Sequence, residues 1–227
     1  MSSLNHADLT LREALVATVR RLDAQGLNRG STGNLSVRAS TDTLAAASFW
    51  VTPSGMPADE MAAGDLVRVG MDGSVLAGDW APSTEWPFHR AVYAARAELQ
   101  AVVHLHSPQA TALACLRRGL PAFHYMVAVA GGDSVPCTPY HLFGTQALSE
   151  AVAAAFVDRN ACLMANHGLV AGGNSLAHAA KVAVEIEALC GIYLQALAVG
   201  EPVLLSRAQM AEVIERFRSY GRTRRLA

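Results

Sequence analysis

Apolar residues recur three and four apart at Leu11, Leu15, Val19 and Leu22, which predicts an amphipathic helix. Thr10-Leu11-Arg12-Glu13 matches a capping box, so the helix is expected to open there and to stop at Gly26. The pattern then shortens into β-branched and aromatic runs. Residues 34–37, 49–51, 66–71 and 74–76 read as strands, the last two joined by the turn Met71-Asp72-Gly73. After Pro82 helical spacing returns, with Phe88, Val92 and Ala95 on one face of a helix ending near residue 97. Ala101-Val102-Val103-His104-Leu105-His106 reads as a short buried strand, followed by a helix from Pro108 that carries Ala112, Leu113 and Leu116. Residues 121–144, broken by Gly131-Gly132, Pro136, Pro139 and Gly144, are expected to be irregular. A helix over 144–157, strands at 161–164 and 169–171, and a long helix capped by Ser175 follow. That helix places Val182, Ile186, Leu189 and Tyr193 at apolar spacing; a last one runs from about Ser206 to Tyr220-Gly221. Strands alternating with helices, with no repeat and no linker, predict a single α/β domain over residues 1–227.

Composition narrows the class of function. The chain has 227 residues, 52% hydrophobic and only 16% charged, with a net charge of −1. So few charges hint at surface buried between subunits. No basic surplus points to nucleic acid, and the near-neutral balance gives no electrostatic hold on a membrane. Cys115, Cys137, Cys162 and Cys190 are far apart without a C-x-x-C pair, as expected for reduced thiols. Residues 1–8 lack the pattern of a signal peptide, and no uncharged apolar stretch reaches membrane-spanning length. A cytoplasmic setting is therefore expected.

The candidate chemistry centres on the strand 101–106. Side chains two apart on a strand share a face, so His104 and His106 point together while Leu105 points away. Alone, such a pair is also compatible with two surface histidines. Glu85, at a turn running into a helix, and His167, between two apolar runs, supply a carboxylate and a third imidazole. Three histidines and a carboxylate are ligand types suited to zinc, with iron, manganese or cobalt as alternatives. His89 follows Glu85 by four residues and is placed to support it from behind. Gly30-Ser31-Thr32-Gly33-Asn34 and Thr52-Pro53-Ser54-Gly55 are small-residue loops at strand ends, able to bring N–H donors close to a phosphate, though also readable as ordinary turns.

Taken together, Ser31-Thr32-Gly33-Asn34, Thr52-Pro53-Ser54-Gly55, Ser83-Thr84-Glu85-Trp86, His104-Leu105-His106, Asn166-His167-Gly168 and Tyr220-Gly221 resemble the class II aldolase/adducin-like family. The resemblance spans residues 12–221. Pro121-Ala122-Phe123-His124-Tyr125-Met126 and Gly131-Gly132 are similar to its L-fuculose-1-phosphate aldolase branch. It implies a three-layer α/β/α sandwich around a mixed, mostly antiparallel sheet, assembled as a homotetramer. It further implies His104, His106, His167 and Glu85 as zinc ligands, with Glu85 also moving the proton. Gly33, Asn34, Ser54, Gly55, Ser83 and Thr84 are implied to cradle the substrate phosphate. Tyr125 resembles a catalytic tyrosine contributed by a neighbouring subunit, and Phe143 and Tyr220 resemble residues that shape the aldehyde pocket.

The implied reaction is cleavage of a ketose 1-phosphate to dihydroxyacetone phosphate and an aldehyde. Lys181, the only lysine, lies away from every motif, so a Schiff-base aldolase is not expected. Two sister activities of the family remain as alternatives. Pentulose-phosphate 4-epimerases carry aspartate where Glu85 stands, and 3-oxo-tetronate 4-phosphate decarboxylases usually show a Thr-Lys-Glu-type segment that is absent here. A metal-free adducin-like module is disfavoured by the intact histidine set. Thr-Pro-Ser-Gly and Ser-Thr-Glu depart from the family's usual Thr-Pro-Thr-Gly and Ser-Ser-Glu, but both keep a hydroxyl.

Overall fold

The structure, a computed structural model, describes residues 2–39 and 47–219. Eight strands form one sheet: β1 (Asn34–Arg38), β2 (Ser48–Val51), β3 (Val67–Gly70), β4 (Val75–Ala77), β5 (Ala101–Leu105), β6 (Cys137–Thr138), β7 (Ala161–Met164) and β8 (Gly168–Gly173). Their spatial order is β4-β3-β2-β1-β5-β8-β7-β6. Only the β6–β7 pair is parallel. This is the mixed, mostly antiparallel sheet that the resemblance implied.

Helices cover both faces. The helices α1 (Ser2–Ala24), α3 (Pro108–Cys115) and α5 (Leu176–Val199) share one apolar cluster with Leu35, Val37, Val103 and Leu105. On the opposite face α2 (Trp86–Ala95) and α4 (Gln146–Ala155) enclose Phe49, Val51, Val67, Val69, Val102 and Val170. Strand alternation explains the division: Val103 and Leu105 point to one layer, Val102 and His104 to the other. Every residue of β5 is fully buried, which accounts for its continuous apolar sequence. Full burial of side chains such as Phe49 and Phe156 contributes about 1.5–3 kcal/mol each.

Several expectations shift in detail. The first helix begins at Ser2, well before the capping pattern at Thr10. Thr10 lies inside it, and its hydroxyl donates to the carbonyl of His6 one turn back. On α2 the buried stripe is Phe88, His89, Val92 and Tyr93, while Ala95 is exposed. On α3 it is Ala110, Leu113 and Ala114, while Ala112 and Leu116 face solvent. The region 121–144 contains a 3₁₀ helix at Tyr125–Ala130 and the two-residue β6. Cys162 and Cys190 are buried, Cys137 half-buried and Cys115 exposed, and all four are free thiols. By length and composition α5 could cross a membrane, but here it packs on β5 and β8 as the central helix of its layer. The last helix, α6, spans Arg207–Ser219.

A candidate metal centre beside a pocket of small-residue loops

Glu85, His104, His106 and His167 converge from four places in the fold. Glu85 stands immediately before the first turn of α2, where the helix dipole favours a carboxylate. His104 is the fourth residue of β5, and His106 follows the strand end, just before Ser107 and Pro108 open α3. His167 sits in the tight turn joining β7 to β8. That turn uses Asn166 at a φ of 55°, a left-handed conformation that asparagine tolerates. Gly168 completes it because there is no room for a side chain: a Cβ there would collide with the carbonyl of Leu105 and press on the rings of His106 and His104.

One donor atom from each of the four lies within 4.8 Å of the others. His104 Nδ1 is 2.9 Å from the carbonyl of Leu169 and must donate to it, which leaves Nε2 as a lone pair. That lone pair faces His106 Nε2 at 3.0 Å and Glu85 Oε2 at 3.2 Å. Glu85 Oε1 lies 3.1 Å from His167 Nε2, yet it is buried with no hydrogen-bond donor aligned on it. A proton on any one of these atoms relieves only one contact, whereas a divalent cation relieves all of them. The donor set therefore fits a metal ion. Burial, then His104 and His167, lowers the His106 pKa to about 4, which keeps it a neutral ligand at physiological pH. For Glu85 burial works against the charge, but positive charge placed where His104 and His167 face it holds its carboxyl far below the usual range.

Glu85, His106 and His167 also line a cavity of about 350 Å³. Gly33, Asn34, Ser54, Gly55, Ser83 and Thr84 all line it, brought together from three separate loops. The 53–55 and 82–84 loops are zipped by Ser54 N–H to the Ala81 carbonyl at 2.9 Å and Ser83 N–H to the Thr52 carbonyl at 3.0 Å. Ser54 and Ser83 therefore present hydroxyls rather than amides. The N–H groups of Gly33, Gly55 and Thr84 have no acceptor among the described residues and are available to an anion. Gly33 holds a φ of 73°, and a Cβ there would meet Asn28 Oδ1 at 2.6 Å and the carbonyl of His104 at 2.7 Å. No lysine or arginine lines the cavity among the described residues.

The family model for the class II aldolase and adducin N-terminal domain matches residues 13–194. The chain belongs to that family. A 5-methylthioribulose-1-phosphate/5-deoxyribulose-1-phosphate aldolase of Rhodospirillum rubrum is 43% identical over 94% of this chain and 93% of its own length. An L-fuculose phosphate aldolase of Escherichia coli strain K12 is 41% identical over 93% of this chain and 95% of its own. A solved L-fuculose 1-phosphate aldolase superposes with a TM-score of 0.87 at 37% identity, covering 92% of this chain and 96% of that one. Class II aldolase relatives of two substrate types are thus similarly near, and family membership alone does not choose between them.

Other expected residues fall at different distances from the centre. Phe143, exposed, lines the same cavity together with Tyr140, His141 and Asn166. Tyr140 was not singled out from the sequence; its only signal is its place in the irregular stretch beside Phe143. Tyr125 is half exposed on the 3₁₀ helix, with its ring against His124 and Phe217, and does not line this cavity. Tyr220 lies outside the described residues.

Proposed function

We propose that this chain is a zinc-dependent aldolase that cleaves a ketose 1-phosphate to dihydroxyacetone phosphate and an aldehyde. The observation that carries it is the opening of a three-histidine, one-carboxylate centre into a pocket lined by free amides and hydroxyls. When bound, the metal would supply a Lewis acid for the charge that develops beside a ketone as its carbon–carbon bond breaks. His104, His106 and His167 would hold it, with Glu85 as the fourth, displaceable ligand.

The protein's own groups do the rest. The N–H groups of Gly33, Gly55 and Thr84 and the hydroxyls of Ser54 and Ser83 bind the phosphate, fixing the sugar relative to Glu85. Glu85 takes up the proton released from the substrate hydroxyl or from water in the cavity and passes it to the carbon freed by cleavage. Tyr125 of a neighbouring subunit manages the proton on the oxygen that becomes the aldehyde. Phe143, on the cavity wall, is assigned to the far end of the sugar, and Tyr220 shares that role by the family resemblance alone.

The names of the relatives have a chemical feature in common: each substrate is a ketose 1-phosphate whose far end lacks a terminal hydroxyl. L-fuculose 1-phosphate and 5-deoxyribulose 1-phosphate are therefore the substrates to test first. The experiment offers zinc-loaded protein a panel of ketose 1-phosphates and 3-oxo acid phosphates. Release of dihydroxyacetone phosphate is expected from the ketose phosphates. Carbon dioxide from the 3-oxo acids without dihydroxyacetone phosphate from any ketose would overturn the assignment in favour of the decarboxylase.

A further inference from the structure

Behind Glu85, four side chains are linked in series inside the α2 face of the sheet. Asn34 Nδ2 donates to Glu85 Oε2 at 2.8 Å. Asn34 Oδ1 is 2.6 Å from His89 Nε2, His89 Nδ1 is 2.7 Å from Ser36 Oγ, and Ser36 Oγ is 2.8 Å from the Tyr93 hydroxyl. His89 and Ser36 are fully buried, Tyr93 nearly so, and Asn34 is 4% exposed. The arrangement is built from two periodicities. Asn34 and Ser36 are two apart on β1, and His89 and Tyr93 are four apart on α2.

Both ends of the series dictate its direction. At one end a carboxylate only accepts, so Asn34 must present its NH₂ group and turn its oxygen to His89. His89 then carries its proton on Nε2, and its Nδ1 accepts from the Ser36 hydroxyl. Ser36 in turn accepts from the Tyr93 hydroxyl, which has no other hydrogen-bond acceptor among the described residues. Every donor runs towards Glu85. The reverse order would aim the Asn34 oxygen at a carboxylate and leave the Tyr93 proton with no acceptor, in a place water does not reach.

We infer that His89, Ser36 and Tyr93 are positioning residues, which lock the Asn34 amide so that it grips Glu85 Oε2 and leaves Oε1 as the oxygen without a donor. This rests on the reading that Glu85 serves both the metal and the proton transfer. It adds three side chains that touch neither. Removing such an outer partner typically costs 10- to 100-fold in metal affinity or turnover.

The test uses Tyr93→Phe, Ser36→Ala, His89→Gln and His89→Leu in the full chain. Zinc affinity is measured against a competing chelator, kcat and KM on the best ketose 1-phosphate, and the His89 tautomer by nitrogen-15 NMR of the zinc-loaded protein. The wild type is expected to show the proton on Nε2. Tyr93→Phe, which removes a single oxygen, should weaken zinc affinity or kcat by roughly tenfold while KM stays within about twofold. His89→Gln, which keeps a donor for Asn34, should retain more than His89→Leu. A His89 proton on Nδ1 would overturn the inference. So would folded Tyr93→Phe and His89→Leu proteins with wild-type zinc affinity and kcat. Tautomer and chelator titration need no substrate, so failure to cleave any ketose phosphate would sink the proposed function while leaving these two readouts to decide this inference.

Discussion

Glu85 is the residue on which the most depends. It accepts from Asn34, faces His104 and His167 within 3.2 Å, and stands at the head of α2. Glu85→Gln keeps its shape and loses the base. Turnover should fall by about 100- to 10,000-fold while KM changes little, as steady-state kinetics would show. Near-normal turnover would remove Glu85 from the proton transfer. The residue types of this centre were readable from sequence because few other functions need three imidazoles and a carboxylate near small-residue loops. The tautomer of His104 was not. It follows from the Leu169 carbonyl, and strand pairing across the β5–β8 boundary is invisible in a linear string.

Among the elements, the β7–β8 turn carries a constraint that bears directly on the metal ligands. Gly168 lies against the Leu105 carbonyl and two ligand rings, so Gly168→Ala must push β8 away from β5. A loss of about 1–3 kcal/mol is expected, the usual cost of overpacking, together with reduced metal content. Thermal denaturation and metal analysis check both, and a variant with unchanged melting and full metal content would contradict the packing argument. Elements with a strong period were legible: the apolar stripe of α5, through Val182, Ile186, Leu189 and Tyr193, is buried as its spacing predicts. Start points were less so. The cap pattern at Thr10 failed because residues upstream of it continue the helix, where Asp8 also accepts the Trp50 indole N–H at 2.8 Å. The 3₁₀ helix Tyr125–Ala130 and the two-residue β6 are too short to carry any period.

At the scale of the whole molecule, the position of Tyr125 makes the proposed sharing of sites between subunits testable. Its half-exposed ring lies away from the cavity lining of its own chain. Its proposed part in catalysis is therefore at a neighbour's site, in keeping with the homotetramer that the resemblance implies. Glu85→Gln and Tyr125→Phe chains, each inactive alone, should regain activity when dissociated and reassembled together, because some hybrid sites then hold both intact residues. Well-mixed hybrids as inactive as their parents would place Tyr125 outside the shared site. The expectation came from the motif resemblance and not from periodicity, which reports which face of an element is buried and not whose surface it meets.

The sheet order has a consequence for how the protein comes apart. β5 and β8 are side by side, yet Glu85, His104 and His167 come from separated parts of the chain. A partly folded chain therefore holds no complete ligand set, and the ion can recognise only the closed sheet. Zinc should then act almost entirely as a brake on opening. In stopped-flow denaturation, saturating zinc is expected to slow unfolding and to leave the refolding rate within about twofold of the metal-free value. A refolding rate that climbs in step with zinc concentration would mean that the ligands meet before the strands do.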